Sequence, residues 1–289
     1  MKIGLQIPRF HWPGGPADIA PKLAHIARTA DEAGFSSLWV MDHLFQISSI
    51  GKVDEPMLES YTTLAFLAGQ TQRIELGSMV TAAGYRSPGL LIKQVSTLDV
   101  LSGGRAWLGI GAGWYEREAR GLGLNFPVLK RRFEQLEETL KIARQMFDGD
   151  RRPIYGKHFQ LAEPLNSPLP LHRPRILIGG GGEKKTLRLV ARYADACNLF
   201  ARVPIGDLAW KLEVLRQHCE SEGRDYDTLE KTALAQLNPM RSSPQAILAK
   251  LSELARIGFQ TVIASFAQVE TLQPLELMAR DVLPRAAEL

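Results

Sequence analysis

The sequence predicts an α/β chain closed into a single (β/α)8 barrel, the TIM-barrel class, with one insertion between the fourth and fifth strands. Three observations carry this expectation. Strand-like and helix-like segments alternate from end to end, eight of each. Most connections between them are short, which requires parallel strands joined by right-handed crossovers. Eight such units in 289 residues suit one closed barrel better than an open sheet.

The elements follow in order. Ile3–Ile7 is the first strand, and its helix, Asp18–Ala33, ends at Gly34, where a left-handed C-cap belongs. Ser37–Met41 and Ser60–Thr71 make the second unit. Ile74–Val80 is the third strand, and its helix, Pro88–Leu101, is bracketed by Ser87-Pro88 at the start and Gly103-Gly104 at the stop. Arg105–Ile110 and Lys130–Phe147 form the fourth unit. In the fifth, Arg175–Ile178 leads to Glu183–Ala194, whose buried face is written by Leu187, Val190, Ala191 and Ala194. Ala196–Phe200 pairs with the helix Ile205–Glu222, and Thr232–Gln236 with Pro244–Arg256, which Ser243 and Gly258 bracket. Thr261–Ser265 and Leu272–Asp281 close the ring.

Asp148–Pro174 breaks the rhythm, with 27 residues and five prolines. Tyr155-Gly156-Lys157-His158 reads as a hairpin turn inside it. The segment is expected to be an insertion (148–174) within one domain spanning 1–289, and a contributor to specificity together with Pro8–Trp12 and the loops after strands seven and eight.

Composition excludes several function classes. Hydrophobic residues are 45% of the chain, and the net charge of +4 comes without a basic stripe, so nucleic acid is not the expected partner. No apolar run approaches the roughly 18 residues of a membrane span, so no membrane partner is expected. Cys197 and Cys219 are the only cysteines, and the N-terminus carries no cleavage signal, so the expected location is a reducing cytoplasm. No two of His11, His25, His43, His158, His172 and His218 have metal-ligand spacing, and no metal is expected. Gly-x-Ser-x-Gly is absent, which disfavours a serine hydrolase.

Sites in this fold lie at the C-terminal ends of the strands, which nominates short clusters. Gly179-Gly180-Gly181-Gly182 follows strand five and precedes a helix, a place where backbone N–H groups and the helix dipole meet an anion. No Gly-Lys-Ser or Gly-Lys-Thr follows, so this is not the nucleotide-hydrolase loop, and its place past the midpoint argues against a dinucleotide fingerprint. Asp42-His43 is a carboxylate–imidazole pair at a strand end, suited to proton transfer near neutral pH. Gly111-Ala112-Gly113 would let a flat ring lie against backbone, and Trp12 and Trp114 could wall an apolar pocket. Met79, Val80 and Thr81 end strand three, and Asn198 lies in strand six.

Taken together, Ser37–His43, Ile74–Val80, Ser87–Trp114, Arg132–Phe147 and Pro174–Asn198 resemble the luciferase-like monooxygenase family and, within it, the deazaflavin (coenzyme F-420)-dependent oxidoreductases. The resemblance covers most of the first 200 residues; the rest carries only the barrel pattern. It implies hydride transfer between coenzyme F-420 and an organic small molecule, with FMN-dependent monooxygenation as the alternative. It implies cofactor contacts by Asp42, Met79, Val80, Ala112, Gly113, Gly179, Gly180, Gly181, Gly182 and Asn198, a cis Met79–Val80 peptide, His43 at the reacting centre, and a homodimer. Related sugar-phosphate dehydrogenases carry a glutamate where this chain has Trp114, with Glu116 two residues on. That departure argues against a sugar-phosphate substrate and against a glutamate donor at that position, and leaves the proton donor open, with Glu116 a weak substitute. A non-catalytic flavin carrier and a phosphate-binding isomerase are the readings from other classes; His43 opposes the first, and the lack of a second strand-end acid opposes the second.

Overall fold

The computed structural model describes residues 1–289. Its elements are β1 (Lys2–Ile7), α1 (Ile19–Ala33), β2 (Ser37–Val40), α2 (Ser60–Ala68), β3 (Glu75–Ser78), β4 (Thr81–Ala82), α3 (Pro88–Ser102), β5 (Ala106–Gly111), α4 (Glu116–Gly121), α5 (Leu129–Phe147), β6 (Ile154–Tyr155), β7 (Gln160–Leu161), β8 (Arg175–Gly179), α6 (Thr186–Tyr193), β9 (Ala196–Phe200), α7 (Ile205–Ser221), β10 (Glu230–Leu237), α8 (Pro244–Arg256), β11 (Thr261–Phe266), α9 (Gln273–Asp281) and α10 (Leu283–Ala286).

The parallel sheet runs β3-β2-β1-β11-β10-β9-β8-β5-β4, and the pairing of β3 with β5 closes it into a barrel. The third barrel strand counts twice because it is interrupted at Met79–Val80, a cis peptide. Both halves pair with β5, through Leu76↔Ala106 on one side and Thr81↔Ile110 on the other. The eight-unit barrel is therefore as the alternation predicts.

Two apolar layers hold the ring. A large cluster of 64 buried residues lies between strands and helices. A small one fills the barrel itself: Trp39, Met79, Trp107, Leu177, Ala196 and Ile263. Trp39 and Trp107 meet edge to face at 5.6 Å. A Cβ on Gly77 would overlap the Trp39 ring, so glycine there makes room for the indole. Deleting a buried aromatic from such a layer costs about 3–5 kcal/mol. None of the helices is long and apolar enough to cross a membrane.

The differences from expectation have local causes. The helix after strand five starts at Thr186, not Glu183, because the glycine run continues into an open turn without a capping side chain. A short helix, α4, follows strand four in a segment of mixed charge that carries little periodicity. Nineteen residues between β2 and α2, Met41 to Glu59, form an ordered loop, the long connection that the bounds of the second unit imply. Gln46 pins that loop, donating to the Pro8 carbonyl and accepting from Tyr115 Oη through its own carbonyl at 3.4 Å.

The insertion lies along the outside of the barrel. The carboxylate of Glu138 accepts from the N–H groups of Lys157, His158 and Phe159 at the tip of the β6–β7 hairpin. Asn166 Nδ2 donates to Ser96 Oγ and the Met146 carbonyl, and Asp99 accepts from the N–H groups of Leu171 and His172. Its hydrogen bonds thus run to α3 and α5 rather than to the strand ends at the mouth.

Candidate functional site

Three groups, two of side chains and one of backbone, assemble at the C-terminal ends of the strands. The first is built on Asp42, just past β2. Its carboxylate takes a bidentate pair from Arg86 at 2.7 and 2.8 Å, a bond from Ser60 Oγ at 2.5 Å, and the N–H of Ala82 at 3.2 Å. Arg86 also donates to Glu59, whose carboxylate caps α2 at the N–H groups of Tyr61 and Thr62. The Arg86 guanidinium lies over the Tyr61 ring, and Tyr61 Oη bonds Thr81 Oγ1 at 2.7 Å. This network ties β2, β4 and the starts of α2 and α3 together. The Asp42 side chain is 1% exposed, with both oxygens engaged, so it presents no free oxygen to a ligand.

The second group is built on His43. Its Nδ1 lies 2.8 Å from Glu118 Oε1 on α4. Glu118 is fully buried, and it also accepts from Tyr85 Oη at 2.6 Å and from the N–H groups of Leu44 and Phe45 at 2.7 and 3.0 Å. Burial pushes the Glu118 pKa up, but the hydrogen bonds from His43, Tyr85 and the Phe45 N–H outweigh it and hold the carboxyl below its usual range. An ionised acceptor at Nδ1 fixes the imidazole as the Nδ1–H tautomer and leaves Nε2 to exchange a proton. The ring packs edge-on against Trp114 and Tyr115 at 5.3 and 5.6 Å, and those two stack on each other.

A pH dependence follows. Because the folded pKa of Glu118 lies below the ordinary value of 4.5, its carboxylate contributes its full stability above that value and loses it as pH falls through the folded pKa. Glu118→Gln removes this contribution, so its stability is expected to fall less steeply than that of the wild type as pH drops from neutral through and below the ordinary carboxylate value. Urea unfolding across that interval measures the difference; parallel pH slopes would refute it.

The third group is backbone. The half-buried Val80 side chain rests between two strands: a Cβ on Gly179 would stand 2.9 Å from Val80 Cγ1, and one on Gly111 would stand 3.0 Å from Val80 Cγ2. Ala112 and Gly113 continue from β5, with Gly113 at φ 73° and its carbonyl bonded by Arg132. Beyond β8, the Gly180 N–H, at φ 118°, donates to the Asn198 carbonyl. After it, the N–H groups of Gly181 through Thr186 donate to no protein acceptor. Lys211 Nζ sits beside them, on the Gly181 carbonyl at 2.9 Å and Glu183 at 3.3 Å. Open amides in a turn leading into a helix form an anion cradle.

The structure thus brings most of the nominated residues to one mouth. Met79 points into the barrel interior and is nearly buried, and Asn198 is buried with its Nδ2 on Thr232 Oγ1. Trp114 is 62% exposed beside His43, whereas Trp12 is buried against Phe10. Glu116 pairs with Arg120 on the surface. Lys185 lies over the Phe133 ring, and Arg188 and Arg192 pair with Glu222, away from the glycine turn. Sequence reasoning missed Glu118, Tyr85 and Arg86. Their partners are 75, 33 and 44 positions away along the chain, so no local spacing reveals them. The only available signal was a glutamate beside the small Ala119 in an otherwise charged helix.

With this geometry in hand, likeness to known proteins becomes informative. A family model described as luciferase-like monooxygenase matches residues 1–281. The chain belongs to that family. Among its relatives, an F420-dependent glucose-6-phosphate dehydrogenase of Kineococcus radiotolerans is 28% identical over 229 residues, covering 78% of this chain and 66% of that protein. An F420-dependent hydroxymycolic acid dehydrogenase of Mycobacterium tuberculosis is 30% identical over 212 residues, covering 73% and 57%. The matches thus span less than two thirds of the length of these relatives. An F420-dependent secondary alcohol dehydrogenase, solved with an F420-acetone adduct, superimposes with a TM-score of 0.82 at 15% identity, over 97% of this chain and 98% of that one. At that identity the likeness concerns the fold.

Proposed function

We propose that this family member binds coenzyme F-420 at the barrel mouth and moves a hydride between it and an alcohol or ketone. The observation that carries the proposal is the row of free N–H groups from Gly181 to Thr186, which opens at the same end of the barrel as His43. That row suits the coenzyme's phosphate, with Gly179, Gly180 and Lys211 shaping its approach. Val80, the Met79–Val80 peptide, Ala112 and Gly113 offer a low, side-chain-poor bed for the ring, and Asn198 borders it. Asp42 contributes through its main chain and by holding β4, since its carboxylate is occupied.

When bound, the deazaflavin supplies or accepts the hydride. The protein's share is the proton. His43 Nε2 takes it from a substrate hydroxyl, or delivers it to a carbonyl oxygen, while Glu118 stabilises the imidazolium that forms on uptake. Trp114 and Tyr115 give the substrate's body an aromatic wall and shield the histidine from water. Trp114 stands where related sugar-phosphate dehydrogenases have a glutamate, and its indole favours an apolar-bodied alcohol over a sugar phosphate. The two dehydrogenase relatives from Kineococcus radiotolerans and Mycobacterium tuberculosis support the same class of chemistry. We place the enzyme in the cytoplasm, consistent with two free, buried cysteines, and expect a homodimer.

Titrating the purified protein with coenzyme F-420 and FMN in parallel tests the proposal. Tight F-420 binding is expected; preference for FMN would favour the monooxygenase alternative, and binding of neither would overturn both. Gly181→Glu is expected to weaken coenzyme binding about 100-fold or more, because it sets a carboxylate among the amides that receive phosphate. A Cβ at this position meets only Lys211 and Leu199 at 3.4 Å or beyond, so the fold accommodates it. Unchanged affinity in a fluorescence titration would remove the cradle from the site.

A further inference from the structure

We infer a second ligand site at the opposite end of the barrel, where Lys231 receives the carboxylate of an apolar-bodied monocarboxylic acid. A cavity of about 730 Å³ opens at the N-terminal ends of β1 and β11, lined by Ile3, Tyr226, Lys231, Phe259 and Leu283 among others. This volume lies within the range of small-molecule sites. This cavity is at the base of the barrel, away from His43 and the glycine turn.

Lys231 is the unexplained residue there. It sits on β10 and is 4% exposed. Its ammonium stands 4.5 Å from the centre of the Tyr226 ring and makes no hydrogen bond or ion pair with any protein group. The neighbouring carboxylate, Glu230, is taken by Arg175 and Thr261. Asp227 lines the same cavity, beyond ion-pair distance and exposed to water. Burial pushes the Tyr226 pKa up to about 12, so the phenol stays neutral and supplies no counter-charge. The side chain is buried but the ammonium is not sealed off: it reaches the cavity without a protein partner, and an anion entering there supplies one. Of the other cations on the lining, Lys2 is exposed and the Met1 ammonium donates to the Ala286 carbonyl, so Lys231 is the buried, unpaired one, and a single compact cation suits a carboxylate better than a phosphate dianion. Ile3, Phe259 and Leu283 give the acid's body an apolar wall.

Octanoate and octanol, titrated calorimetrically into the full chain with the mouth saturated by F-420 or FMN, test the site. Octanoate is expected to bind wild-type protein about tenfold or more tightly than octanol, and Lys231→Met to weaken octanoate about tenfold or more, with Lys231→Arg largely retaining it. Circular dichroism and thermal melting establish that the variants fold; should Lys231→Met fail to fold, the octanoate–octanol comparison in the wild type still decides. No octanoate binding, equal affinity for octanol, equal affinity in folded Lys231→Met, or displacement by the coenzyme would each overturn the inference.

Discussion

His43→Ala is expected to lower turnover about 10²–10⁴-fold, the usual contribution of a positioned general acid–base group. Coenzyme affinity should stay within about threefold, because the free amides proposed to receive the phosphate lie beyond β8, the fifth barrel strand, whereas His43 follows the second. The size of the effect rests on three features already described. Glu118 fixes the tautomer through Nδ1, the carboxylate stabilises the protonated ring, and Trp114 and Tyr115 hold the plane. Steady-state rates with an alcohol or ketone, alongside a coenzyme titration, separate the two quantities. Wild-type turnover would remove the histidine from the chemistry. A parallel loss of coenzyme affinity would make it a binding residue instead.

Arg86→Met is expected to destabilise the fold by about 3–5 kcal/mol, because it leaves the Asp42 carboxylate charged, buried and without its bidentate partner. For a chain of this length that corresponds to a melting temperature lower by roughly 5–8 °C. Asp42→Asn combined with Arg86→Met should lose less than the sum of the two single changes, since the double variant buries neither charge alone. Thermal melts of the wild type, both singles and the double measure this coupling. Simple additivity would mean that the pair is not an energetic unit. The same network fastens Ala82 to Asp42, so the single variants are also expected to loosen the end of the third barrel strand.

The order of strands and helices was legible because each element writes its own signal locally. Gly34, Gly103 and Gly258 do adopt left-handed conformations at helix ends, as their positions along the chain suggested. The glycine run was legible as a turn for the same reason, although its helix begins three residues later than the apolar spacing suggested. The loop from Met41 to Glu59 was not, because Gln46 orders it through partners on two other strand-end loops.

Asp42-His43 shows where local information ends. Two adjacent residues read as one proton-handling pair, yet successive side chains along an extended backbone point to opposite sides. Asp42 turns to Arg86 and becomes structural, while His43 turns to Glu118 through Nδ1 and leaves Nε2 without a protein partner.

The sequence by itself determined the barrel, its eight-fold rhythm and the open turn after the fifth strand, because periodicity and glycine conformation act over a few residues. The tertiary structure alone decided which carboxylate serves the histidine, that the insertion lies outside the mouth, and that Lys231 stands alone at the base. Those outcomes depend on contacts between residues far apart in the chain, and only closure of the ring brings such residues within bonding distance.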